Sequence, residues 1–133
     1  MMNRLSVFAV LAFSNLVAFG AFADDAARLA PLTEITLADG RDIVATAEGM
    51  AVYTFDIDEN GVSNCYGGCA KAWPPVLVKS ANGLQAPMGV TTRKDGALQL
   101  TVNGQPVYLF VGDTAAGEIN GDGLDDVWHI IID

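Results

Sequence analysis

The chain holds one histidine, His129, and two cysteines, Cys65 and Cys69. With a single imidazole and no Gly-x-Ser-x-Gly, a nucleophile triad finds no support. Cys65-x3-Cys69 is neither the redox Cys-x-x-Cys nor the haem-attaching Cys-x-x-Cys-His. No phosphate-cradling glycine loop follows a strand and opens a helix. Positive charge is scarce as well: seven Lys and Arg stand against sixteen Asp and Glu. Without a basic patch to release counterions, nucleic acid and anionic lipid are repelled. No segment beyond the N-terminus keeps a helical period, which points away from a helical bundle. No catalytic constellation emerges, and the expectation is a protein that is not an enzyme.

The one long apolar run is Leu5–Phe19, broken only by Ser14 and Asn15. It follows the short positive stretch Met1–Arg4 and precedes Ala21-Phe22-Ala23, a small-x-small cleavage site. This reads as a signal peptide over 1–23, with the mature chain starting at Asp24. A retained membrane helix is the weaker reading, because the run is short and the acidic pair Asp24-Asp25 follows it. No cysteine lies near the cleavage site, so no lipid anchor is expected. The product is a free protein of the periplasm or the extracellular space. Cleavage removes Arg4 and no acid, leaving six basic residues against sixteen acidic ones, a charge of −10. About 110 residues remain, enough for one domain with a real core.

Most of what is there is said twice. Val52-Tyr53-Thr54-Phe55 returns 55 positions later as Val107-Tyr108-Leu109-Phe110. The same offset carries Gly49 onto Gly104, Asp58 onto Asp113, Gly68 onto Gly123 and Trp73 onto Trp128. Average usage gives roughly two such identities by chance over this length; seven indicate an internal duplication. A polar lead-in covers 24–33, and the domain covers 34–133. Repeat one spans about 34–80 and repeat two about 90–133.

Between turn signals the pattern is that of strands. Asp39-Gly40 joins Glu34–Leu37 to Asp42–Ala47, and Asn103-Gly104 joins Ala97–Val102 to Pro106–Val111. The second of these strands is apolar on both faces and is expected to be central and buried. Ala51–Asp56 places Tyr53 and Phe55 on one face, Val52 and Thr54 on the other. Cys69–Trp73 reads as one short helical turn stopped by Pro74-Pro75. Lys79–Met88 reads as irregular, and Val127–Ile132 as a closing strand. The expected fold is mostly β: two hairpin-plus-loop repeats about a pseudo-twofold axis.

Tyr53-x-Phe55-x-x-Asp58 and Tyr108-x-Phe110-x-x-Asp113 resemble the Y-x-[FWY]-x-x-D motif of a bacterial secreted-repeat family. Its members are often described as predicted lipoproteins of unknown function. Cys65–Cys69 with Trp73-Pro74-Pro75, Arg93-x-Asp95-Gly96 and Gly121-x-Gly123-x-x-x-Val127-Trp128 look similar to that family too. The resemblance covers roughly Ala47–Ile132. It implies a compartment and a fold, and no reaction. Many members are lipid-anchored; with no cysteine near its cleavage site, this chain is expected not to be.

Several roles are open to the motif residues. Asp58 and Asp113 are suited to accept loop N–H groups in Asx-type turns, or the tyrosine hydroxyl proton. Alternatively Tyr53, Phe55, Asp58, Trp73, Tyr108, Phe110, Asp113 and Trp128 line a ligand cleft. Acid–base work would need the two carboxylates about 5–10 Å apart across it. At i, i+4 on a helical turn, Cys65 and Cys69 lie about 6 Å apart, within disulfide range in an oxidising compartment. The rival is a copper site from Cys65, Cys69 and His129. Asp56-x-Asp58-x-Asn60-Gly61 opens like a calcium loop but has Gly67 where a bidentate Glu is required. Glu118, Asn120, Asp122 and Asp126 are a better partial set, also without the final Glu. Ordinary turn chemistry accounts for both. The leading expectation is a binding or interaction module with a structural disulfide, its partner an unknown small ligand or an extracytoplasmic protein. Copper handling and weak calcium binding are the alternatives.

Overall fold

The computed structural model describes residues 31–133. The expected signal peptide over 1–23 and most of the lead-in over 24–33 lie outside them. In chain order the elements are β1 (Leu32–Thr36), β2 (Asp42–Thr46), β3 (Tyr53–Phe55), the one-turn helix α1 (Gly68–Ala72) and β4 (Leu77–Val78). There follow β5 (Met88–Thr92), β6 (Leu98–Val102), β7 (Gln105–Pro106), a 3-10 turn (Leu124–Asp126) and β8 (Trp128–Ile130). The fold is mostly β. Its first strand starts at Leu32, two residues ahead of the expected start of the domain.

The duplication reaches further towards the N-terminus than a fixed offset reveals. β1 pairs with β2 from Leu32–Thr46 to Thr36–Asp42, and β5 pairs with β6 from Met88–Val102 to Thr92–Leu98. These hairpins match residue for residue at an offset of 56. Their turns match as well: Asp39 Oδ1 accepts the Arg41 N–H at 3.0 Å, and Asp95 Oδ1 accepts the Ala97 N–H at 2.9 Å. Repeat one carries one more residue between its hairpin and its Tyr-x-Phe strand. That insertion hides β5 from a gap-free comparison. Its Met-Gly-Val-Thr-Thr composition hides it from pattern reading, since Gly89 breaks the alternation. A Cβ on Gly89 would lie 3.0 Å from Thr101 Oγ1 across the ladder.

The two Tyr-x-Phe strands meet at the molecular centre. The Tyr53 N–H donates to Tyr108 O at 2.8 Å, and the Tyr108 N–H donates to Tyr53 O at 2.9 Å. Each strand then pairs with the tryptophan segment of the other repeat. β3 lies antiparallel to β8, with Phe55 opposite Trp128 and the Asp56 N–H on Val127 O. In the matching place, the Val111 N–H reaches Ala72 O and the Leu109 N–H reaches Pro74 O. The repeats therefore exchange their closing segments about a pseudo-twofold axis. Neither half can complete its own sheet.

The strands at the centre divide the core in two. Val52 and Val107 face an aliphatic cluster with Leu32, Val44, Met88, Leu100 and Val102. Tyr53 and Tyr108 face an aromatic one with Trp73, Trp128, Cys65 and Ile43. This is the period-two alternation of the motif turned into two cores. The second motif strand is shorter than its apolar sequence suggests. Val107 and Tyr108 are fully buried, but Val111 is 56% exposed because the chain turns out of the sheet at Phe110.

Candidate functional site

Each motif tyrosine donates to the motif aspartate of the other repeat. Tyr53 Oη lies 2.6 Å from Asp113 Oδ2, and Tyr108 Oη lies 2.7 Å from Asp58 Oδ2. The second oxygen of each carboxylate caps its own loop. Asp58 Oδ1 accepts the Asn64 N–H at 2.7 Å, and Asp113 Oδ1 accepts the Asn120 N–H at 2.9 Å. The asparagine amides turn back on the carbonyls of Ile57 and Gly112. Each aspartate thus takes both roles foreseen for it, turn cap and tyrosine acceptor. Burial, reinforced by the carboxylate each one faces, pushes both tyrosine hydroxyls far above their ordinary range. Burial also raises Asp58, against the opposing pull of the Asn64 N–H, the Tyr108 hydroxyl and the Arg93 charge.

The remaining motif aromatics form one continuous stack. Phe55 lies on Trp128 at 4.1 Å, Trp128 on Trp73 at 3.8 Å, and Trp73 on Phe110 at 4.3 Å. Tyr53 and Tyr108 brace it edge-on, 5.2 Å from Trp73 and 5.3 Å from Trp128. Such pairs contribute about 0.5–1.5 kcal/mol each beyond their buried area. The structure therefore assembles all eight motif residues into one unit.

Around this unit the halves differ. The Tyr108 hydroxyl also meets Ser63 Oγ at 2.6 Å, and Ser63 Oγ accepts from Arg93 Nη1 at 3.0 Å. Arg93 is 5% exposed and further donates to Gln99 Oε1 at 2.7 Å and Cys65 O at 2.7 Å. Since Ser63 Oγ also accepts the Cys65 N–H, its own proton goes to Tyr108, whose proton goes to Asp58. Two hydroxyls so connect a buried guanidinium to a carboxylate. The hairpin offset places Leu37 and Ile43 where repeat two has Arg93 and Gln99, and the matching caps of Asn64 and Asn120 place Ile119 where repeat one has Ser63. Leu37 and Ile43 belong to the aromatic cluster, and the partly buried Ile119 packs against it. There the Tyr53 hydroxyl accepts the Gly121 N–H at 3.2 Å instead. Sequence reasoning missed Ser63, Asn64 and Gln99 and gave Arg93 no role. Allowing one inserted residue in the repeat comparison would have exposed the Arg93/Leu37 and Gln99/Ile43 contrasts, whereas matching Ser63 to Ile119 needs a second.

Cys65 and Cys69 form the expected disulfide, with Cα atoms 5.3 Å apart. The fully buried Cys65 belongs to the aromatic cluster, and the half-buried Cys69 packs against it. His129 is not brought to this pair. It lies opposite Thr54, its Nε2 2.7 Å from Asp56 Oδ2. Of the calcium candidates, Glu118 accepts from Asn120 and Thr114, which hold its carboxyl below the usual value. Asp122 Oδ1 instead accepts the Ile130 N–H at 3.1 Å, and Asp126 lies in the 3-10 turn. Among the described residues, no three His, Cys, Asp or Glu side chains group as a metal ion needs.

The Phe55 end of the stack opens onto a surface depression of about 480 Å³. Its walls include Phe55, Ile57, Cys69, Trp73, Trp128 and Asp125. Towards Phe110, Gly121 closes against the rings, where a Cβ would lie 2.5 Å from Trp73 and 3.1 Å from Phe110.

Among the described residues no helix is long and apolar enough to cross a membrane. Comparison with curated proteins and with solved structures finds no match. A family model described as a secreted repeat of unknown function matches twice, over residues 34–77 and 89–131. These are the two halves that exchange tyrosine–aspartate bonds and stack their tryptophans, so the chain belongs to the family of secreted repeats of unknown function.

Proposed function

We propose that this exported protein is a binding module without enzymatic activity. Its ligand, a small molecule, docks in the depression at the Phe55 end of the aromatic stack. One observation carries the reading: a largely apolar hollow of about 480 Å³ lies open beside a buried, rigid array of rings. That volume falls in the range of ligand sites, and aromatic walls with one polar group are their usual composition. The crossed hydrogen bonds and the Cys65–Cys69 disulfide hold these walls in place, which lowers the ordering cost of binding. The module acts in the periplasm or the extracellular space, with an extracytoplasmic protein segment as the other form its partner could take. Copper handling would require reduction of the disulfide and release of His129 from Asp56, and no observation favours it.

Titration of the mature, oxidised protein with a library of small soluble fragments, followed by amide and indole NMR shifts, tests this. Perturbations clustered at Phe55, Ile57, Cys69, Trp73 and Trp128 support the site. Shifts confined to other surfaces, or none at millimolar fragment, overturn it.

A further inference from the structure

We infer that the hollow takes an uncharged carbonyl compound with a compact apolar body, its oxygen accepting from the indole N–H groups of Trp73 and Trp128. The inference rests on the binding reading above and names the chemistry of its ligand. The ring faces are spent on one another, since Phe55, Trp128, Trp73 and Phe110 cover each other along the stack. What the two tryptophans bring to the hollow is their edges, and both line it. Trp73 is 7% exposed and Trp128 3%. Neither indole N–H has a hydrogen-bond partner among the described residues, yet no buried side-chain nitrogen or oxygen there lacks one. Each N–H therefore lies within the small exposed part of its ring.

The benzo corner of Trp73 is not that part, because its Cζ3 and Cη2 close against the buried Gly121. The hollow also straddles the pseudo-twofold axis. Ala72 and Val127, like Trp73 and Trp128, occupy matching positions of the two repeats, and all four stand in its walls. An axis through the hollow turns both N–H groups into it if it turns one. Indole is a donor only, so what it recognises is an acceptor. A cation offers these donors nothing. An anion would meet Asp125 in the wall and a chain of net charge −9. An uncharged carbonyl oxygen is left, and Phe55, Ile57, Ala72 and Val127 suit the apolar body behind it. A ligand of the same shape without the oxygen would cover both donors and satisfy neither, which weakens binding.

The test compares cyclohexanone with methylenecyclohexane, which has CH2 in place of the oxygen, and with cyclohexanecarboxylate, by NMR of the oxidised protein. The chain has two tryptophans, so its two indole N–H peaks report the site directly. Cyclohexanone is expected to move both downfield and to bind about tenfold tighter than methylenecyclohexane, the scale of one donor left unsatisfied. The carboxylate should bind more weakly than the ketone. Replacing both tryptophans with 3-benzothienylalanine keeps the stacked bicycles and removes the N–H groups. Amide shifts at Ile57 and Cys69 should then show the ketone and the alkene binding equally. A preference that survives this replacement overturns the inference. Equal affinity of ketone and alkene in the parent, or a carboxylate that binds tightest, also overturns it and leaves the hollow standing as a ligand site. If neither these probes nor any fragment perturbs the hollow, the binding reading fails with it.

Discussion

The two repeats share one backbone plan and one aromatic unit, yet solve the space behind their tyrosines in opposite ways. On the Tyr53 side the corresponding residues are Leu37 and Ile43, members of the aromatic cluster, and Ile119, which packs against it. Behind Tyr108 the corresponding positions hold Arg93, Gln99 and Ser63, joined by hydrogen bonds of 2.7 and 3.0 Å. The apolar side is tolerant, because burying hydrocarbon makes no directional demand. The polar side is conditional: its network is stable only while every member keeps its partners. It also joins elements far apart in the chain, since Arg93, just after β5, holds the carbonyl of Cys65 in the disulfide loop. The axis relates the backbones and not the chemistry.

The largest effect should come from breaking the polar side. Arg93→Leu strips donors from Ser63, Gln99 and Cys65 O together and should cost about 3–5 kcal/mol in urea denaturation. Copying the apolar side with Arg93→Leu, Gln99→Ile and Ser63→Ile together should recover most of that loss, as well-packed apolar replacements of buried charged groups do. A triple variant no better than the single one would mean that the two sides are not interchangeable.

Next come the crossed bonds. Tyr53→Phe and Tyr108→Phe should each cost about 1.5–3 kcal/mol, the range for hydrogen bonds to charged groups. Tyr108→Phe should be the worse, because it also severs Ser63 from Asp58. Both hydroxyls are raised in the folded state, so the folded protein holds protons that the unfolded chain releases. Their stability share is complete below about pH 10, the unfolded tyrosine value, and is lost as the pH climbs above it. Melting temperature should fall steeply there in the parent and less steeply in the double Phe variant.

Reducing the Cys65–Cys69 bond should cost about 2 kcal/mol, the loop-entropy value for so short a ring. At about 4–8 °C per kcal/mol for a domain of this size, the melting shift is easily read. Trp128 and Tyr108, which share the aromatic cluster with Cys65, should report the destabilisation. The smallest effect belongs to His129→Gln. Its partner Asp56 and the ring itself are about half exposed, so the pair contributes about 0–1 kcal/mol, less at high salt.

Much of this was readable beforehand, and for physical reasons. Identities at a fixed offset exposed the duplication, and alternation assigned Tyr53 and Val52 to opposite faces. Asn103-Gly104 marked its hairpin through left-handed backbone that other residues resist, observed at φ 50° and 78°. The cysteine spacing pointed to the disulfide through a helical turn. Cys65 instead lies in the loop ahead of α1, and the loop's turn rather than a helix brings the Cα atoms to 5.3 Å. β5 was not readable, because its stability comes from the ladder to β6 and not from its own composition. The roles of Arg93 and Ser63 were hidden for a related reason. A buried arginine is legible only once its partners are, and these stand 30 and 6 residues away on different elements.

Local chemistry in the sequence was enough to determine that the chain is doubled, strand-rich, acidic and braced by a short disulfide. Only the tertiary structure decided that the repeats exchange their aspartates and tryptophan strands. A repeat pattern records which residues recur, and within-repeat and between-repeat pairing satisfy it equally. The choice falls to the central strands: Tyr53 and Tyr108 pair antiparallel, which delivers each hydroxyl to the loop of the opposite repeat and leaves one end of the ring stack open to solvent.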